Sequence, residues 1–201
     1  MITAGITPLT YPARPVNGGA WEHAMPKIGE WLYEPKFNGW RALVHIPSGA
    51  MFNRHGQQLS IAAEFQPALR DLSVAHYRLG CDWLDVECLE RRHNIGRGSL
   101  IVLDLPDHAT LPYAERQRMV AERFVELPDP RFIAENLIYR PSVHEAWEVN
   151  ARWRELQAAN VALGCDFYEG LVAKRADSPY PVQLHSPEFE FPFWMKHRWR
   201  F

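Results

Sequence analysis

The chain has 201 residues, 47% of them hydrophobic and 12% aromatic, which is material for one generous domain or two very small ones. Its 23% of charged residues is close to the globular average and excludes wholesale disorder; with no apolar run near the ~20 residues a bilayer span needs, and no signal peptide at its start, a cytoplasmic setting is expected. A net charge of −2 excludes a surface that grips nucleic acid everywhere by charge, but leaves room for a local basic patch at Lys174-Arg175 or Lys196-His197-Arg198-Trp199-Arg200.

In chain order, residues 1–30 hold Pro8, Pro12, Pro15, Pro26 and the turn signal Asn17-Gly18-Gly19, and read as an extended arm. Short apolar or alternating runs follow, each bounded by Gly, Pro or Asn: Trp31–Phe37, Trp40–Ile46, Met51–Arg54, Trp83–Leu89, Ser99–Leu105, Arg131–Tyr139 and Tyr168–Lys174 read as strands. Helices fit Ala62–Leu72 and Pro112–Phe124. A third is expected to begin at the capping box Ser142-Val143-His144-Glu145, with Val143, Ala146, Trp147, Trp153 and Leu156 on its core face. Strands that succeed one another without alternating helices indicate an antiparallel-sheet-rich α+β fold. The three cysteines, Cys81, Cys88 and Cys165, have no paired spacing, so a reducing compartment is expected rather than a disulfide framework. For Cys81, Cys88 and His93, burial of small thiols beside a surface histidine is preferred over a zinc site, since no CxxC pair exists.

The segment Glu34-Pro35-Lys36-Phe37-Asn38-Gly39-Trp40-Arg41 carries the first chemical signal. Gly39 removes a side chain where backbone must approach a ligand, and Arg41 supplies a second cation. A lysine near other cations in a partly dry cleft loses its proton more easily and becomes a nucleophile. Taken alone, the segment is better explained as a strand-end lysine beside a hairpin glycine.

Further segments complete an ordered set. Asn53-Arg54-His55-Gly56 is a turn. Leu84-Asp85-Val86-Glu87 places an acid 51 residues after Lys36, Ile101-Val102-Leu103-Asp104-Leu105 is a strand followed by the helix of Arg116, and Tyr168-Glu169-Gly170-Leu171-Val172-Ala173-Lys174 and Trp194-Met195-Lys196-His197-Arg198 come last. From about Tyr33 to Arg198 the sequence resembles the ATP-dependent polynucleotide ligase and messenger-RNA capping-enzyme superfamily of covalent nucleotidyltransferases, and the DNA ligases within it most of all. The resemblance implies the adenylation-domain fold of DNA ligases, described as ATP-grasp-like. It implies that Lys36 attacks the α-phosphorus of ATP to give lysyl-AMP, with Lys174 and Lys196 as catalytic cations. Arg41 and Arg54 would hold ribose or phosphate, Glu87 the ribose hydroxyl, and Glu34 and its strand the adenine edge, with Leu103 covering the base. Glu169, with Glu87, would hold Mg2+ or Mn2+. The AMP would then pass to a 5′-phosphate of nucleic acid, most readily nicked duplex DNA, and a 3′-hydroxyl would displace it.

Three departures stand out. Asn38 occupies the aspartate position of Lys-x-Asp-Gly-x-Arg, Leu103 stands where many relatives have an aromatic residue, and Asn53 replaces a serine. Asn38 keeps open an RNA ligase, and Asn38 with Leu103 a catalytically weak nucleotide- or nucleic-acid-binding module. The expected organisation is the arm 1–30 and a nucleotidyltransferase domain 31–201, with no OB-fold domain unless a partner protein supplies one, and hence a slow first step and weak, salt-sensitive substrate binding.

Overall fold

In a computed structural model of the chain, residues 6–19, 29–89, 92–182 and 189–199 are described. Pro26 and Arg200, singled out above, lie outside them, as do parts of the arm. Two sheets organise the molecule. The first has four strands in the order β1 (Arg14–Asn17), β10 (Glu190–Arg198), β9 (Tyr168–Arg175), β2 (Trp31–Phe37). The second has six, in the order β4 (Ala50–Phe52), β3 (Trp40–His45), β5 (Trp83–Leu89), β6 (Ser99–Asp104), β8 (Ile138–Arg140), β7 (Val125–Glu126). Five of the eight strand pairings are antiparallel; β1·β10, β6·β8 and β7·β8 are parallel. This is the antiparallel-rich α+β arrangement that the succession of strands predicts.

Strand alternation explains the layers. In β5, Leu84, Val86 and Cys88 face a core shared with α1 (Gln66–Leu79) and α2 (Tyr113–Arg123), where Phe65, Leu69, Leu72 and Val120 meet them. The opposite face of the same sheet sends Ile101 and Leu89 into a second core with Trp31, Tyr33, Phe37 and Leu171 and with Val149, Trp153 and Leu156 of α3 (Val149–Leu163). Cys81 and Cys88 are buried in the first core. Among the described residues, no helix is long and apolar enough to cross a membrane.

Strands β2, β5, β6 and β9 match the expected spans to within a residue, and several exceptions have identifiable causes. β4 stops at Phe52 because Asn53 folds a turn, its Oδ1 accepting from the backbone N–H of His55 and of Gln57 at 2.8 and 3.1 Å. The expected strand Arg131–Tyr139 is reduced to Ile138–Arg140, preceded by a 3-10 turn at Pro130–Phe132. The expected capping box at Ser142 does not form. His144 instead exchanges backbone hydrogen bonds with Tyr33 of β2, at 2.8 and 2.9 Å, which holds this segment extended and delays α3 to Val149. Trp153 is in the core as anticipated, but Trp147, ahead of the helix, is 78% exposed.

The chain first passes from one sheet to the other at the short turn Asn38–Gly39, which ends β2 and begins β3. A Cβ on Gly39 would lie 2.5 Å from the carbonyl oxygen of Cys88, so the crossing requires glycine. Lys36 therefore sits where the chain leaves one sheet for the other.

Candidate active site

The facing surfaces of the two sheets enclose a cavity of about 400 Å³. On the four-stranded side, residues two apart along β2, β9 and β10 share one face, and this puts Glu34, Lys36, Val172, Lys174, Trp194, Lys196 and Arg198 on the cavity wall. On the six-stranded side, Arg41, Glu87 and Leu103 come from β3, β5 and β6 by the same alternation. Arg54 reaches the rim from the turn after β4, and Glu169 completes the set. Every residue to which the resemblance assigned a role borders this one space.

Glu169 is aimed by a bulge. Lys36 pairs with Gly170 and Phe37 with Tyr168, so Glu169 is the extra residue of β9. The bulge is closed on both sides. Gly170 adopts φ +152° with His197 O so near that no Cβ fits. Asn160 of α3 donates its side-chain amide to Tyr168 O at 2.8 Å and accepts from Tyr168 N at 3.0 Å, which fixes the start of β9. The Glu169 carboxylate then accepts from Lys36 Nζ and, at 3.1 Å, from Arg198 Nε. Burial raises the pKa of Glu169, but the hydrogen bond and charge of Lys36 and the charge of Arg198 outweigh it and hold the carboxyl below its ordinary value.

The other charges are arranged differently. Lys174 is ion-paired with Glu34, both nearly sealed from solvent, and its ammonium lies 4.3 Å and 4.7 Å from the ring centres of Trp194 and Tyr113. Burial raises the Glu34 pKa, opposed by Lys174. Arg41 makes a two-pronged contact with buried Asp85, at 2.8 and 2.5 Å, and its guanidinium stacks near Tyr11 of the arm and Trp194. Tyr180 donates to the same Asp85 at 2.8 Å. Glu87 Oε1 accepts from Gly39 N at 2.9 Å, and burial pushes its carboxyl up to about 7 against the pull of Lys36 and Arg41. Burial, with Arg198, Arg14 and Lys36 nearby, lowers the Lys196 pKa, although Glu190 opposes this.

Eight cationic side chains line the cavity against three carboxylates, a surplus that suits a polyanionic ligand. Among the described residues no carboxylate pairs with Arg14, Arg54, Arg92 or Lys196. Sequence reasoning missed Arg14 and Arg92 and gave no role to Asp85. Arg92 lies three residues beyond the end of β5, so its nearness to the acidic motif was a readable signal. Arg14 had none, because only the parallel pairing of β1 with β10 brings it to the wall.

No family model matches the chain. DNA ligase C1 of Mycolicibacterium smegmatis is 29% identical over 196 residues, covering 86% of this chain and 54% of that protein, so the chain spans about half of this curated relative. A mycobacterial DNA ligase D complexed with ATP and MES superposes with a TM-score of 0.56 at 20% identity, covering 94% of this chain and 60% of that one. The DNA ligase-adenylate of Chlorella virus gives 0.57 at 15% identity, covering 94% and 68%. The chain is thus similar in sequence to a DNA ligase and shares the fold of these DNA-ligase structures.

Proposed function

We propose that this domain catalyses ATP-dependent joining of nucleic acid, with Lys36 as the nucleophile and nicked duplex DNA as the substrate. The observation that carries the reading is the single cation-rich cavity in which Lys36, Lys174, Lys196, Arg41, Arg54, Glu34, Glu87, Leu103 and Glu169 all meet. The ATP held by the mycobacterial DNA ligase D supports ATP as the nucleotide. In the first step the Nζ–phosphorus bond forms, the α–β phosphoanhydride bond breaks, and pyrophosphate leaves with the electron pair. The Lys36 ammonium must first release a proton, and Glu169, its hydrogen-bond partner, offers the route. Lys196 and Arg198 face the α-phosphate, where preorganised cations gain most as charge builds in the transition state. Lys174, neutralised by Glu34, orients rather than adds net charge. Arg41 and Arg54 meet ribose and phosphate, Glu87 meets the ribose hydroxyl, and Leu103 covers the base.

A divalent ion fits this wall. Magnesium takes one or two carboxylates and completes its shell with water and phosphate oxygens, and with Glu34 committed to Lys174, Glu169 and Glu87 are the carboxylates that would hold it. Such an ion would supply charge neutralisation for the triphosphate. The three free cysteines support a reducing, cytoplasmic setting.

The test is incubation of the purified chain with labelled ATP and magnesium, followed by denaturing electrophoresis. Covalent label on wild type and none on Lys36→Ala supports the reading. No label on either, with magnesium or manganese, favours a binding module, the alternative that Asn38 keeps open. A pre-adenylylated nick with DNA or RNA on its 3′-hydroxyl side then separates DNA from RNA joining.

A further inference from the structure

Beside the main cavity lies a second, of about 320 Å³, which shares Arg92, Glu169 and Arg198 with it and adds Asn38 and Asp166. Glu169 is already held by Lys36 and Arg198. Asn38 is spanned by two contacts: its amide donates to the Asp166 backbone carbonyl at 2.8 Å, and its Oδ1 accepts from an Arg92 guanidinium N–H at 3.0 Å. Arg92 is exposed, and no carboxylate among the described residues pairs with it. An aspartate at position 38 would place a carboxylate at that same 3.0 Å contact and cancel the arginine's charge. An amide offers the same acceptor without charge.

We propose that Asn38 and Arg92 form a phosphate-binding unit at the junction of the two cavities: the neutral amide orients the guanidinium and leaves its charge for a phosphate group beyond the one Lys36 attacks. A planar guanidinium suits this task because it presents paired donors to phosphate oxygens. The source of that phosphate rests on the ligase reading. It is either the pyrophosphate end of the nucleotide or the 5′-phosphate of the strand to be joined, and the chemistry recognised is the same.

The experiment measures binding to the full chain by calorimetry at low salt, with three probes: inorganic pyrophosphate, a short 5′-phosphorylated oligonucleotide, and its 5′-hydroxyl twin. Wild type, Arg92→Ala and Asn38→Asp are compared after circular dichroism confirms that each is folded. Both variants are expected to bind one of the two phosphate probes on the order of tenfold more weakly, the loss of one charge-assisted contact. Loss for pyrophosphate assigns the leaving-group end. Loss for the phosphorylated oligonucleotide, but not its twin, assigns the strand. The proposal is overturned if wild type binds neither phosphate probe, if both variants stay within about twofold of wild type, or if the two oligonucleotides weaken equally while pyrophosphate is unaffected. A loss in Arg92→Ala alone contradicts the part given to Asn38. Because every readout is binding, a chain that never takes up AMP would sink the ligase reading and leave this inference standing.

Discussion

Two ion pairs, one behind the cavity and one in it, show how the same chemistry serves different ends. Behind it, Arg116 of α2 and Asp104 of β6 are both fully buried, and the guanidinium also donates to Ser178 O at 3.1 Å while Asp104 accepts from Leu105 N at 2.8 Å. In the cavity, Lys36 and Glu169 keep 19% and 24% of their side-chain exposure, and Glu169 is shared with Arg198. A buried pair with its hydrogen bonds satisfied fixes two elements to each other and resists exchange. A half-open pair whose carboxylate has two cationic partners can change partner when a ligand arrives. The first builds the site and the second works in it.

The largest effect is expected behind the cavity. Arg116→Ala leaves Asp104 buried without its partner and should lower unfolding stability by about 3–5 kcal/mol in denaturant titration; a loss below about 1 kcal/mol would erase the distinction drawn here. Lys174→Met is intermediate. It strands Glu34, but that carboxyl already has a raised pKa and can protonate, so a loss of about 2–3 kcal/mol is expected. Glu169→Gln should change stability by less than about 1 kcal/mol, as half-exposed pairs do. Its AMP uptake should nonetheless fall on the order of 100-fold, as happens when a group that acts at the transition state is removed.

A separate prediction concerns pH. The folded-state pKa of Glu87, about 7, lies above its ordinary 4.5, so between those values the folded chain holds the extra proton. Its contribution favours the folded state below about 4.5 and is lost as pH rises through about 7. Stability measured from pH 4.5 to 7 should therefore fall less steeply with pH in Glu87→Gln than in wild type, and an unchanged slope would remove the burial assigned to Glu87.

Much of this site could be read from the order of its motifs, because most of them sit on strands whose alternation sends their polar residues to one face. Lys36, Lys174 and Lys196 are such positions, as are Arg41 and Glu87. What the sequence hid depends on contacts distant along the chain. The commitment of Lys174 to Glu34 needs β2 beside β9, and the hold of Asp85 on Arg41 needs β3 beside β5. The wrong start for α3 has the same origin: Ser142 and Glu145 satisfy a local capping rule, but the backbone pairing of His144 with Tyr33 overrides it. Trp147 was misplaced with that helix start. At Asn38, the departure from the ligase motif was plain in the sequence, but its contact with Arg92 was not.

Intact-mass measurement of the chain after incubation with ATP and magnesium tests the central claim most directly. Addition of one AMP group, mapped to Lys36 by peptide sequencing and absent from Lys36→Ala, is the expected result. An unmodified chain, or an adduct on any other residue, would contradict it.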